Sequence, residues 1–174
     1  MSTETIFRLH LILGYLAWLL CFGAYFLPRL RAMEPVAAQR AIATLHSFRF
    51  FGLVFILPGV VGPGLPAHFA GFAAYGDLVT GVLAILALLA VRTGLLFWLF
   101  VVAFNLAGVV DLVGDYYNAI QLGLPGVAGQ MGAAYWIPIL YVPLLMITHV
   151  AAFYLMLGHQ PKAVPALAGR AASA

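Results

Sequence analysis

Long apolar runs, interrupted by short clusters of Arg, Gly, Pro and Tyr, dominate the chain. A helix needs about 20 apolar residues to cross a ~30 Å hydrocarbon layer. Five stretches reach or approach that length: Phe7 to Leu27, Ala41 to Val61, Ala74 to Val91, Leu95 to Val113 and Trp136 to Leu157. The second extends backwards as an amphipathic helix from near Pro35. Backbone in lipid must satisfy its own hydrogen bonds, and the strict period-two alternation of a barrel strand is absent. The pattern therefore predicts an all-α integral membrane bundle of about five transmembrane helices. The third and fourth runs are separated only by Arg92-Thr93-Gly94, a tight hairpin with glycine where a C-cap is expected. Two connections, Gly62-Pro63-Gly64-Leu65-Pro66 and the stretch around Gly123-Leu124-Pro125-Gly126, carry few charges and are expected to lie against the bundle. The domain division is a single transmembrane unit over residues 1–160 and a mobile, Ala-rich cytoplasmic tail over 161–174. The run from Ile6 to Leu27 is too long for a signal-peptide core of roughly 7–15 residues, so it is read as a retained span.

Composition narrows the class. Hydrophobic residues make up 65% and charged residues 7% of the chain, against about 25% charged in a soluble domain. A soluble enzyme, a disulfide scaffold, a disordered chain and a nucleic-acid module are excluded on that ground. Cys21 has no partner in the sequence, and no zinc-type spacing occurs. Lys and Arg alternate between connections: Arg29, Arg31 and Arg40 in the first, none in the second, Arg92 in the third, none in the fourth, and Lys162 and Arg170 in the tail. The positive-inside rule then places the N-terminus outside and the C-terminus in the cytoplasm, as for a multi-pass protein of a bacterial inner membrane. Arg8 runs against that assignment. Tyr75, Tyr116, Tyr117, Tyr135 and Trp136 fall where an outer aromatic belt belongs.

Polar residues inside such spans are costly, which makes each a candidate for function. At ~1.5 Å per residue, Arg49 lies roughly 18 Å, His149 roughly 20 Å and Asn105 roughly 12 Å from the outer ends of their runs. Three different helices thus bring an arginine, an amide and an imidazole into one central slab, with His46 a turn from Arg49 and Thr148 beside His149. Asn105 and backbone carbonyls are the expected partners of Arg49. One such carbonyl is that of Ile139, freed because Pro143 has no N–H. A separate outer cluster is expected from Asp77, read as opening the third helix, with Asp111 and Asp115 one turn apart on the fourth. Asn118, His10 and His68 fall at the same level. Gly52, Gly76, Gly81 and Gly108 are read as sites of close helix approach.

The stretches His46-Ser47-Phe48-Arg49, Ala74-Tyr75-Gly76-Asp77 and Asn105-Leu106-Ala107-Gly108, with Asp111-Leu112, Pro143 and His149, resemble a group of small uncharacterised bacterial multi-pass membrane proteins. The helical core is similar in general character to DoxX-like proteins. This resemblance implies a shared polar constellation and no activity. The leading functional expectation is a buried site that binds or transforms a small lipophilic molecule. Arg49 would hold an anionic or carbonyl group, His149 would exchange a proton, Asn105 would orient the ligand, and His46, Asp77, Asp111 and Asp115 would complete or gate the site. Alternatives are a proton- or ion-coupled transporter, a haem-binding electron carrier (His10 with His68, or His46 with His149 or His159) and a structural subunit of a membrane complex. No metal set is assigned and the cofactor is left open. The expected partners are the lipid bilayer, a small lipophilic ligand and, in an oligomer, further copies of the chain; nucleic acid is not among them.

Overall fold

The computed structural model describes residues 1–158. His159, the basic residues Lys162 and Arg170, and the tail expected over 161–174 lie outside them. The described residues form helices of several pitches. Four are long and apolar enough to cross a membrane: α1 (Thr3–Ala32), α3 (Ala67–Leu89), α4 (Gly94–Gln121) and α5 (Ile137–Gly158). Between α1 and α3 lies α2 (Pro35–His46), which runs directly into a 3₁₀ segment, Ser47–Ile56. A second 3₁₀ segment, Leu124–Tyr135, joins α4 to α5.

Local chemistry accounts for these boundaries. The Ser2 side chain accepts from the Thr5 N–H at 3.1 Å and starts α1, with Glu4 in the first turn. Pro35 opens α2, where its missing N–H costs nothing. Beyond His46 the chain tightens instead of continuing as the expected α-helical span to Val61. A 3₁₀ helix has three residues per turn, so side chains three apart eclipse. His46, Arg49, Gly52 and Phe55 are buried at that spacing, while Phe48, Phe50, Phe51 and Ile56 are exposed apolar residues. The tighter winding keeps the one charged residue of the segment on the inner row.

Helix α3 packs closely on both the 3₁₀ segment and α4 through a small-residue face that includes Ala70, Ala73, Ala74, Gly81 and Ala84. The turn between α3 and α4 is closed by Thr93, whose backbone N–H and hydroxyl both donate to the Ala90 carbonyl at 2.8 Å. Gly94 opens α4 and does not cap α3, correcting the expected role; Ala90 terminates α3 at φ −84°. The Leu124–Tyr135 segment lies on the bundle, with Leu124, Ala128, Met131 and Ala134 buried. Its Gly132 adopts φ +53°, and a Cβ there would strike the Val60 carbonyl. Gln130 ties the two Gly- and Pro-rich connections together, accepting from Gly62 N–H at 2.7 Å and Gly64 N–H at 3.2 Å.

At the start of α5, a π-helical turn over Ile137–Tyr141 precedes Pro143. The disturbed ladder is met by α1: the Trp18 indole donates to the Leu140 carbonyl at 2.8 Å, and the Ile139 carbonyl lies against Gly14, where a Cβ would collide with it. Two apolar clusters occupy the two ends of the bundle. One includes Phe22, Ile42, Phe97, Phe104 and Leu155; the other includes Phe7, Phe55, Phe69, Met131 and Ile139. Between them lies a polar layer.

Candidate functional site

Three charged side chains that belong to different elements meet in that layer. Arg49, fully buried, donates through Nε to Asp77 Oδ1 at 2.6 Å and through Nη2 to Asp111 Oδ2. Asp77 and Asp111 are themselves only 4% and 5% exposed. The third nitrogen, Nη1, faces His149 Nε2 at 3.4 Å. The arginine therefore bonds the two carboxylates directly, and Asn105 does not reach it. Asn105 instead donates through Nδ2 to the Val101 carbonyl at 2.8 Å and presents Oδ1 to His149 Nδ1 at 2.8 Å.

This arrangement replaces the expected separate outer cluster, and the reason is one of helix length. Hydropathy ends a span where acids and tyrosines appear, which put the third helix's start at Ala74 and the fourth helix's end at Val113. The helices actually extend to Ala67 and Gln121. Asp77 is therefore mid-helix, not an N-cap. At ~1.5 Å per residue Asp77 sits roughly 15 Å from Ala67 and Asp111 roughly 15 Å from Gln121, and at ~2.0 Å per 3₁₀ residue Arg49 sits roughly 14 Å from Ile56. Opposite charges at one depth compensate one another, so the carboxylates remain inside the apolar layer. His10 and His68 do not join them. His10 Nδ1 pairs with the Tyr135 hydroxyl at 2.8 Å, and His68 lines a separate groove.

The bonding fixes the imidazole tautomers. Asn105 Oδ1 can only accept, so His149 carries its proton on Nδ1 and offers Nε2 to the arginine. The Thr148 hydroxyl is 2.9 and 3.0 Å from the Leu144 and Leu145 carbonyls, to which it donates, and therefore accepts from His46 Nε2–H at 3.0 Å. His46 Nδ1 is left as a buried acceptor with no partner among the described residues. The His46 and His149 rings lie against one another, centroids 4.0 Å apart. That spacing leaves no room for a porphyrin between them, which removes this pair as haem ligands. Among the described residues no three His, Cys, Asp or Glu side chains converge as a metal-binding set.

Glycines wall the cluster. A Cβ at Gly52 would enter Asp77, one at Gly76 would enter Asp111, and one at Gly108 would meet His149 Cε1 at 2.5 Å and Arg49 Nη1 at 2.6 Å. A Cβ at Gly81 would lie 3.2 Å from the Phe50 backbone nitrogen and 3.6 Å from Arg49 Cβ. The four glycines read as helix-contact positions thus adjoin the charged side chains themselves. Each gives the cluster volume that any other residue would fill.

Space opens on one side of this layer. A cavity of about 440 Å³ extends toward the end of the bundle that holds Phe7 and Leu124. Phe7, Phe55, Phe69, Leu124 and Val142 form apolar walls, and Asp77, Asp115 and Tyr116 supply its polar surface. Asp115 Oδ1 is buried and has no partner among the described residues. The Tyr116 hydroxyl shares a 2.7 Å hydrogen bond with that of Tyr15. Arg8 also borders the cavity, exposed and paired with Glu4 at 2.5 Å. Arg49, His149, Asn105 and His46 stand behind Asp77 and do not line the space. On another side a shallower groove of about 560 Å³, which includes His68, Tyr75, Gly76 and Thr80, reaches Asp111, whose Oδ1 has no partner among the described residues.

Gln39, Tyr15 and Tyr141 escaped the reading from sequence. Gln39 Nε2 donates to the Ala152 carbonyl at 3.0 Å, and the Tyr141 hydroxyl donates to the Leu45 carbonyl at 3.1 Å. A signal existed for Gln39, since it shares a helix face with Ile42 and His46 at spacings of three and four. Residues 6–157 match the family described as "Domain of unknown function (DUF8737)", and the chain belongs to that family. No curated protein and no solved structure matches it.

Proposed function

Starting from membership of a family with no assigned activity, we propose that this chain is a multi-pass membrane protein that binds or transforms a small lipophilic molecule within its bundle. The observation that carries this reading is the apolar cavity of about 440 Å³ ending on Asp77 and Asp115. Its size and its few convergent polar groups are those of a small-molecule site. The ion pairs of Asp77 and Asp111 with Arg49 hold the polar end rigid, and His149 and Asn105 fix the guanidinium from behind. Asp77 and Asp115 are the groups placed to touch a ligand; Arg49 acts through Asp77.

The chain crosses the bilayer five times in this proposal, with Pro35–Ile56 as the second crossing. Twelve α-helical and ten 3₁₀ residues give roughly 38 Å, enough for a ~30 Å core. The N-terminus lies outside, and the membrane is a bacterial inner membrane. Saturable binding of a fluorescent long-chain lipophile to the protein in nanodiscs tests the site. Binding is expected in the wild type and is expected to be lost when Ala119→Trp fills the cavity. Absence of saturable binding, or binding indifferent to the tryptophan, removes the reading.

A proton- or ion-coupled transporter is the second reading. It is favoured by one observation: the carboxylate layer borders two separate spaces, the cavity at Asp77 and Asp115 and the groove at Asp111. Flux in proteoliposomes that vanishes in Asp111→Asn distinguishes it from binding alone.

A further inference from the structure

The polar end of the cavity is made of acceptors. Asp77 and Asp115 are carboxylates, and the Tyr116 oxygen keeps a lone pair free to accept beside its hydrogen bond with Tyr15. Asp77 already receives Arg49 on Oδ1. Among the described residues Asp115 makes no ion pair, and its buried Oδ1 has no hydrogen-bond donor. The one guanidinium of the layer, Arg49, is therefore taken up by two carboxylates, Asp77 and Asp111, and Asp115 is left over. His46 and His149 behind it are hydrogen-bonded as neutral rings. Arg8, the other cation at the cavity, is paired with Glu4. Asp115 is partly buried; a carboxylate oxygen without a partner against apolar walls is costly, and a cationic donor relieves that cost.

Resting on the lipophile site proposed above, we infer that its occupant carries a protonated amine: a lipophilic ammonium whose N–H groups point at Asp115, Asp77 and Tyr116. An –NH₃⁺ head has three donors and no acceptor, matching a surface of three acceptors. Phe7, Phe55 and Phe69 line the space that takes its apolar body. An anionic head would meet the two carboxylates at the polar end, where Arg49 does not line the cavity and the one other cation, Arg8, is exposed and paired with Glu4.

Competition against the fluorescent lipophile tests this, using the full-length protein in zwitterionic nanodiscs at pH 7. The probes share one chain length: dodecylammonium, dodecanol and laurate. The cavity-filled Ala119→Trp protein supplies the bilayer-partition blank. Dodecylammonium is expected to compete at least tenfold better than dodecanol, with laurate weakest. Asp115→Asn is expected to bring dodecylammonium to within about twofold of dodecanol while leaving dodecanol unchanged. If dodecanol or laurate competes as well as the amine in the wild type, the head-group inference falls and the lipophile site stands. If the fluorescent lipophile binds and none of the three competes, the head-group inference falls; if the fluorescent lipophile itself shows no saturable binding, both fall. Should Asp115→Asn not fold, the wild-type ranking decides alone.

Discussion

Arg49 carries two carboxylates and contacts a histidine with one side chain. Removing one partner from a buried ion pair costs about 3–5 kcal/mol because the remaining charge is stranded. Arg49→Met is expected to lose stability on that scale in thermal unfolding. Arg49→Met combined with Asp77→Asn and Asp111→Asn should recover more than half of the loss, because no stranded charge remains. Equal instability of both proteins would show that the arginine acts by shape alone. The glycines give a second test. Gly76→Ala drives a methyl into Asp111, and Gly108→Ala drives one into His149 and Arg49, whereas a Cβ at Gly71 meets nothing within 4 Å. Gly71→Ala should be neutral or stabilising by up to about 1 kcal/mol through helix propensity, while the other two should unfold early. Depth counting made it possible to place Arg49, Asn105 and His149 in one layer from the sequence. The identity of the bonds was not legible, because a carboxylate ten residues from a helix end looks like a boundary until its counter-charge on another helix is known.

The elements depart from ideal α-helices in two places, and both serve the polar layer. In Ser47–Ile56 the three-residue turn lines up Arg49, Gly52 and Phe55. At the start of α5, Pro138 and Pro143 accompany the π-helical turn, and α1 answers it with Trp18 and Gly14. Gly14→Ala should push α1 away from the Ile139 carbonyl and weaken the Trp18 bond, worth about 1 kcal/mol as a neutral hydrogen bond. The check is tryptophan emission in a protein with Trp98 and Trp136 replaced by Phe: a shift in the Trp18 band is expected, and an unchanged band would mean that α1 does not depend on this contact. Hydropathy located each of these runs. Pitch was beyond it, because 3₁₀, α and π turns differ in which carbonyl each N–H reaches, and neighbouring helices decide that.

At the scale of the molecule, the outer surface is as apolar as the interior. Leu20, Leu89, Leu95, Val110, Ile120 and Leu157 are each at least 66% exposed. Such a surface is stable only in a medium that is itself apolar. Orientation can be read with an impermeant thiol reagent after Cys21→Ser. Met33→Cys and Pro63→Cys flank the proposed second crossing and should react from opposite sides, with Pro63→Cys facing out. Reaction of both from the same side would leave only the four long helices as crossings and reduce Pro35–Ile56 to an embedded arm.

Composition and run length were enough to determine a helical bundle with helices long and apolar enough to cross a membrane, because apolar solvation depends on how many apolar residues follow one another and hardly on their neighbours. The same counting fixed which few polar residues lie deep. Only the tertiary structure decided that Asp77 and Asp111 belong to Arg49, that Asn105 serves His149, and that Asp115 is left facing an apolar cavity. Hydrogen bonds form only when donor and acceptor come within about 3 Å, and contacts that short are set by how helices pack, a property no single run of residues contains.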